Sequence, residues 1–446
     1  MFYPQRHRSH LGTDQKDPRD LADTENSPSG GSEAEFKARF AVVLDKLEQL
    51  PAIMTITQLL SSSRSISASS DASSDEKEYA REPSLLRPVS VDALRLIELT
   101  DRDSAVMMSA EADYLLQTDP IVSVIRTFGA LNHVPVKASI SVVNDEDFPV
   151  SVARHVEESS SQMLLVPLKI RGNEGAANSS GFNPFDHLFR KTITADNSSE
   201  AVNSHYIRKV FAGTKADVCL IIDRGLSASG TPGDQHIFLP FFGGPDDRLA
   251  LSLVVQLCAG NFGVTASVVR IKKAPGADAS GGTDEVGTTI HNVGVFILAV
   301  EWSSYINHYL QTVFPDTVYG NQTTQTRLAS DTADDLIWGR YISKVSDATL
   351  REAVGRISFQ EERTKQPLHF IQKFAAGLQS KRLLIVVGRS RRMATESHTA
   401  ELRKLLLDHH TSIGAEATKT LGDVGSAVMS GGAGEGVLVV QARFTT

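Results

Sequence analysis

The sequence predicts an α/β protein of two tandem units, each a mainly parallel five-stranded sheet flanked by helices. Two observations predict it. Apolar residues come in short continuous runs, as expected of strands covered on both faces, and these alternate with longer stretches of helical period. The alternation then starts again halfway along the chain, with runs of the same type in the same order.

In the first unit the runs 39–44 (RFAVVL), 93–99 (ALRLIEL), 134–143 (VPVKASISVV), 163–170 (MLLVPLKI) and 218–222 (VCLII) read as strands. Helical spacing occupies 48–60, 120–131, 147–160 and 204–212 between them. The second unit opens with 237–242 (IFLPFF) and a helix at 246–258, then 264–271 (VTASVVRI), an insertion, and a short strand at 356–359. A helix at 367–378, a strand at 383–387 (LLIVV), a helix at 398–409 and a strand at 436–440 (GVLVV) complete it. MLLVPLK overlays LLIVVGR and VCLIIDRG overlays VLVVQAR, which sets the units at 36–232 and 233–446. Residues 1–35 read as a polar tether, and 61–87, 172–203 and 274–287 as flexible insertions, because none carries a periodic apolar pattern that could offset ordering entropy.

The composition of the 446 residues, 41% apolar and 22% charged, is that of a soluble globular chain. A net charge of −8, from 45 basic and 53 acidic residues, argues against nucleic acid as a partner. The two cysteines, Cys219 and Cys258, sit in apolar runs, and no Cys/His spacing fits a zinc site. No apolar stretch approaches the ~20 residues of a membrane-spanning helix. The basic N-terminus leads into polar sequence, unlike a signal peptide.

The sharpest local feature is Gly243-Gly244-Pro245-Asp246-Asp247-Arg248, directly after a strand and opening a helix. It reads either as a capped βα turn or as a turn facing a ligand at the carboxyl ends of the strands. Gly388-Arg389-Ser390-Arg391-Arg392 and Gly425-Ser426 supply a glycine leaving a strand, guanidinium groups and a Gly-Ser at a helix start, the parts of a phosphate cradle or of a basic loop and an ordinary cap. On the functional reading, Asp246 and Asp247 cap the helix, Arg248 and Arg389 pair an anion, and Gly425 and Ser426 donate hydrogen bonds to it. The first unit offers Gly172, Gly175 and Asp45 at equivalent places. The sequence has no G-x-x-x-x-G-K-[ST], G-x-S-x-G or H-E-x-x-H, so no catalytic set or metal site is expected.

Taken together, RFAVVLDKLEQLPAIMTITQ at 39–58, ALRLIELTDRDS at 93–104, FLPFFGGPDDRLALSLVVQ at 238–256, LIVVG at 384–388 and the GDVGS and VLVVQ strings of 421–441 resemble a known arrangement. It is the C-terminal cytosolic tail of fungal potassium/proton antiporters of the monovalent cation:proton antiporter-2 family, related to plant cation/proton exchangers. The resemblance implies two universal-stress-protein-like, Rossmann-like domains without catalysis, following a membrane-embedded exchange domain of the same polypeptide on the cytosolic face of a Golgi, endosomal or vacuolar membrane. It also implies homodimer contacts. No cofactor is required; an adenine nucleotide (AMP, ADP or ATP) is the ligand such a domain would sense. Gly388 matches the first glycine of the family's nucleotide motif, but position 391 is Arg and Gly425-Ser426 lies beyond its spacing; in the first unit Asn203-Ser204 stands where Gly-Ser is wanted. The alternatives are a free-standing universal-stress-type ATP-binding protein and a dimerisation platform without a ligand.

Overall fold

Ten segments among the described residues pair into a single sheet; its central strands are covered on both faces, so their side chains can be apolar throughout, while the edge strands at 136–143 and 357–364 are only partly covered. A computed structural model describes residues 36–61, 87–99, 112–168, 196–226, 235–273, 324–342, 347–378, 382–389, 398–409, 413 and 415–443. The strands are β1 (Arg39–Leu44), β2 (Ser90–Glu98), β3 (Val136–Val143), β4 (Met163–Leu168), β5 (Asp217–Asp223), β6 (His236–Phe241), β7 (Thr265–Lys273), β8 (Ile357–Thr364), β9 (Leu383–Gly388) and β10 (Gly436–Gln441). Their order is β3-β2-β1-β4-β5-β10-β9-β6-β7-β8. The first five and the last five thus have the same internal order, and every neighbouring pair is parallel except β5 with β10.

That exception joins the halves. β5 (DVCLIID) and β10 (GVLVVQ) each end a parallel half with an open row of N–H and C=O groups, and pairing them antiparallel removes both edges. Leu220 faces Val439 and Cys219 faces Val440 across this seam. The two units read from the sequence are therefore halves of one sheet, and the boundary placed at 232/233 falls in 227–234, outside the described residues.

Helices cover both faces. One core packs the sheet against α1 (Leu50–Leu60), the helix Pro120–Leu131, the helix Pro245–Gly260 and Ala348–Gly355; it runs unbroken from Phe40 and Val42 to Ile237 and Leu239. The other packs it against Phe148–Glu158, Asp196–Gly213, Pro367–Gly377, Thr399–Asp408 and Ala415–Gly431, and likewise includes Ala41 and Val43 with Phe238. In chain order, with Ala112–Thr118 as α2, these helices are α3 (Pro120–Leu131), α4 (Phe148–Glu158), α5 (Asp196–Gly213), α6 (Pro245–Gly260), α7 (Thr324–Ile342), α8 (Ala348–Gly355), α9 (Pro367–Gly377), α10 (Thr399–Asp408) and α11 (Ala415–Gly431). Polar clamps bind the halves further. Gln256 on α6 accepts from the Lys37 N–H at 3.2 Å and donates to the Lys37 carbonyl at 2.7 Å, and Asn261 donates to the Leu59 carbonyl at 2.5 Å.

Among the described residues three helices, α2, α7 and α8, are additional to those read from the sequence; α11 extends ahead of the helix start read at Gly425-Ser426, and α5 starts at Asp196, inside the segment read as an insertion. The tether 1–35, most of the other insertions, and the motif residues Gly172, Gly175 and 390–392 lie outside the described residues. Among the described residues no helix is long and apolar enough to cross a membrane.

Cys219 on β5 and Cys258 on α6 report on opposite halves. Burial pushes both thiols up to about 12, since the thiolate would be left in an apolar interior. Because the two cores run through both halves, both thiols should become reactive to an alkylating reagent only on global unfolding, at one shared denaturant midpoint. Two separate midpoints would show that the halves unfold independently.

Candidate functional site

Open α/β sheets bind ligands at the carboxyl ends of strands, where successive connections diverge to opposite faces. In the second half that place lies between β6, whose following helix α6 joins one core, and β9, whose following helix α10 joins the other. Two of the sequence features, the 243–248 turn and Gly388, meet there. After β6 the chain turns through Gly243 (φ 103°) and Gly244 (φ 92°), conformations that glycine adopts without a Cβ penalty, and Pro245 begins α6. Asp247 folds back so that its Oδ2 accepts from the N–H groups of Phe242 at 2.6 Å and Gly243 at 2.9 Å. Asp246 accepts from the Ala442 N–H at 2.8 Å, tying the exit of β10 to the helix start. Both carboxylates are buried and sit at the positive end of α6, which favours their charge. Gly388 closes the contact from the β9 side: a Cβ there would lie 2.0 Å from Asp247 Oδ1.

The structure gives both arginines expected to hold an external anion internal partners. Arg248 donates to Asp334 of α7, and the Gly244 N–H donates to both oxygens of the same carboxylate, at 3.0 and 2.9 Å. Arg389 is fully buried. Its Nε donates to the Thr420 carbonyl at 2.8 Å, one Nη to the Lys419 carbonyl at 2.9 Å and the other to Gln441 Oε1 at 2.6 Å. Its guanidinium carbon lies 4.2 Å from the centre of the Phe211 ring. A guanidinium has no acceptor and must place its donors on oxygens when buried; the exposed carbonyls at a helix C-terminus suit it. This corrects the expectation that Arg389 faces an anion: it caps the first segment of α11.

That helix breaks at Gly422 (φ 78°, ψ 172°), where a Cβ would come within 2.4 Å of the Arg389 carbonyl oxygen. The helix start read at Gly425-Ser426 is therefore three residues earlier, and both residues lie inside the second segment. Gly425 lets the helix approach the sheet, a Cβ there meeting Leu421 at 3.1 Å and Val439 at 3.7 Å. Ser426 is fully buried, and its Oγ has no hydrogen-bond partner among the described residues.

The equivalent edge of the first half is also charged. Arg95 on β2 donates to the carbonyls of Leu44 at 3.2 Å and Asp45 at 2.6 Å, and its Nε pairs with Asp119 at 3.1 Å. Asp119 is also the N-cap of α3, accepting from the Val122 N–H at 2.9 Å. Tyr206 of α5 stands edge-on to Phe148, and its hydroxyl pKa is raised by burial and, secondarily, by the charge of Asp45. Among the described residues no group of three or more His, Cys, Asp or Glu is placed to hold a metal ion.

Sequence reasoning missed Asp334, Arg95 and Tyr206. Arg95 interrupts an otherwise apolar strand, a signal that was present in ALRLIEL. Asp334 shares a helical face with Trp338 and Tyr341, spacing that marks a buried stripe in a stretch passed over as an insertion.

Comparison with known proteins adds the following. No family model matches the chain. It is similar to Cation/H(+) antiporter 17 of Arabidopsis thaliana, 23% identical over 203 residues, which is 41% of this chain and 22% of that protein. Cation/H(+) antiporter 18 of the same plant is 24% identical over 207 residues, 42% of this chain and 22% of that protein. The matched chain thus spans about a fifth of these relatives' length, 22% in both. Among solved structures, a universal stress protein from Archaeoglobus fulgidus DSM 4304 aligns with a TM-score of 0.39 and 9% identity over 90% of this chain and 96% of that one. A functionally unknown protein from Pseudomonas aeruginosa PAO1 aligns at 0.36 and 12%, over 92% and 94%. The α/β architecture, a mixed sheet with flanking helices, stands on strand order and register.

Replacing Arg389 by Met should lower stability by about 3 kcal/mol, because buried carbonyls lose their donor. Gly422→Ala should cost about 1–3 kcal/mol through its left-handed backbone and the close Arg389 carbonyl. Urea midpoints measure both; an Arg389→Met midpoint equal to that of the unsubstituted chain would contradict the capping role.

Proposed function

We propose that the chain is a non-catalytic regulatory module of a monovalent cation/proton antiporter, acting on the cytosolic face of an endomembrane beside the ion-exchanging part of the same polypeptide. The similarity to two plant cation/H(+) antiporters over about two-fifths of the chain (41% and 42%) carries this reading. The site supports it. The carboxyl edges of both halves are built from charges that hold the fold together, Arg95 with Asp119 and Arg248 with Asp334, and from capping aspartates. Regulation of this kind requires the module to interact differently with two states of the transporter.

The finer proposals are potassium as the transported cation, an adenine nucleotide as the sensed ligand and a second copy of the module as partner. Because Asp334 occupies the Gly244 and Arg248 donors, a nucleotide would have to displace it to reach them.

Fractionation of cells that make the protein natively tests the main reading. An antibody raised against residues 36–446 should detect a polypeptide far longer than 446 residues, sedimenting with membranes and released by detergent. A soluble native chain of 446 residues would overturn it and favour the free-standing ATP-binding alternative.

A further inference from the structure

Among the described residues the sheet ends in two edge strands, β3 and β8, and they differ in kind. β8 (ISFQEERT) carries Glu361, Glu362 and Arg363 in a row, exposed charges of the sort that keep an edge from pairing. β3 (VKASISVV) has a single charge, Lys137, no proline and five apolar residues, none of them buried.

Which backbone groups of β3 point outward follows from its bonds to β2. The Val91 N–H donates to the Pro135 carbonyl at 2.9 Å and the Leu99 N–H to the Val143 carbonyl at 3.0 Å, so in this parallel register the odd-numbered residues turn their backbone groups toward β2. The even-numbered ones, Val136, Ala138, Ile140 and Val142, turn theirs away, and among the described residues no strand pairs with them. An apolar strand with an outward row of donors and acceptors is a template for one more strand.

Charge selects that strand. Ser139 reaches His155 of α4 at 3.3 Å, and alternate residues share a face, so Lys137 stands on the α4 side of the sheet. The turn that leads from β3 into α4 carries Asp145, Glu146 and Asp147. Lys137 and all three acids are exposed. A second copy laid antiparallel along β3, with its α4 on the same side, brings each Lys137 to the acidic turn of the other copy, and twofold symmetry makes the contact twice. A parallel copy would set the acidic turns side by side.

We propose that β3 is the edge through which a second copy of this chain joins, antiparallel and about a twofold axis normal to the sheet, so that two ten-stranded sheets run on as one. The inference rests on the second-copy partner proposed above, to which it gives a surface, and not on the antiporter assignment. The chain treats two other apolar edges in the same way, β5 meeting β10 antiparallel.

Analytical ultracentrifugation of the whole chain measures the partner, and residue-resolved hydrogen exchange measures the edge. On dilution from dimer to monomer, the amides of Ala138, Ile140 and Val142 should exchange about 10-fold faster or more, while those of Lys137, Ser139 and Ser141 stay protected by β2. Lys137→Glu and Asp145→Lys should each raise the dimer dissociation constant about 10-fold, because each sets like charges together at two symmetry-related contacts. Mixed in equal amounts, the two variants should form a heterodimer as tight as the unsubstituted dimer, since the introduced acid of one copy then meets the introduced base of the other. A dimer indifferent to both charges, or one whose even-numbered amides stay fast, would overturn this edge and leave the second copy to another surface. Even-numbered amides already slow in a monomer would show that the chain covers the edge itself, which also overturns it. A chain still monomeric at millimolar concentration would remove the second copy and this edge together.

Discussion

The antiparallel pairing of β5 with β10 is the constraint on which the remaining structure depends. Two five-stranded parallel sheets of the same order would each leave a long, apolar, hydrogen-bonding edge, and such edges aggregate or recruit another strand. Joining them within one chain satisfies both and lets the helices on each face pack across the junction, so that neither half keeps a core of its own. The repeated order is thereby turned about the seam, and the carboxyl edges of the two halves point in opposite directions.

The second-half edge inherits this dependence. Arg389 stacks on Phe211, which belongs to the first half, and donates to Gln441 at the end of β10. Gln441 in turn donates to the Phe211 carbonyl at 3.0 Å. Asp217 of β5 accepts from the Arg443 N–H at 2.7 Å and pairs with Lys37. The floor of the candidate site is thus built from both halves, while its roof, α7, belongs to the second alone.

Much of this was legible in the sequence. Continuous runs such as RFAVVL and LLIVV announced buried parallel strands, and the restart at IFLPFF announced the repeated order, because burial on both faces leaves an unmistakable composition. The glycines and aspartates of the β6–α6 turn were visible for a similar reason: turn geometry and helix polarity restrict which residues fit. Partner choice was not legible. Arg389 follows a strand, as a ligand-binding arginine would, and only the broken helix at Gly422 shows that its donors go to Thr420 and Lys419. Nor could a single sequence show that Asp334, 90 residues beyond Gly244, would return to that turn. The seam escaped as well, since an apolar run reads the same whether its neighbour is parallel or antiparallel.

A covalent bond across the seam tests the account most directly. Val440 stands opposite Cys219, and the backbone bond from the Arg224 N–H to Glu435 at 2.9 Å puts that pair at a position where antiparallel backbones do not bond to each other and side chains come closest. The chain carrying Val440→Cys, refolded under oxidising conditions and mapped by non-reducing mass spectrometry, should form a bond between Cys219 and the introduced thiol within one molecule, leaving Cys258 free. A free thiol at 440, or a bond from it to Cys219 of a second molecule, would contradict a single sheet closed by β5 and β10 of the same chain.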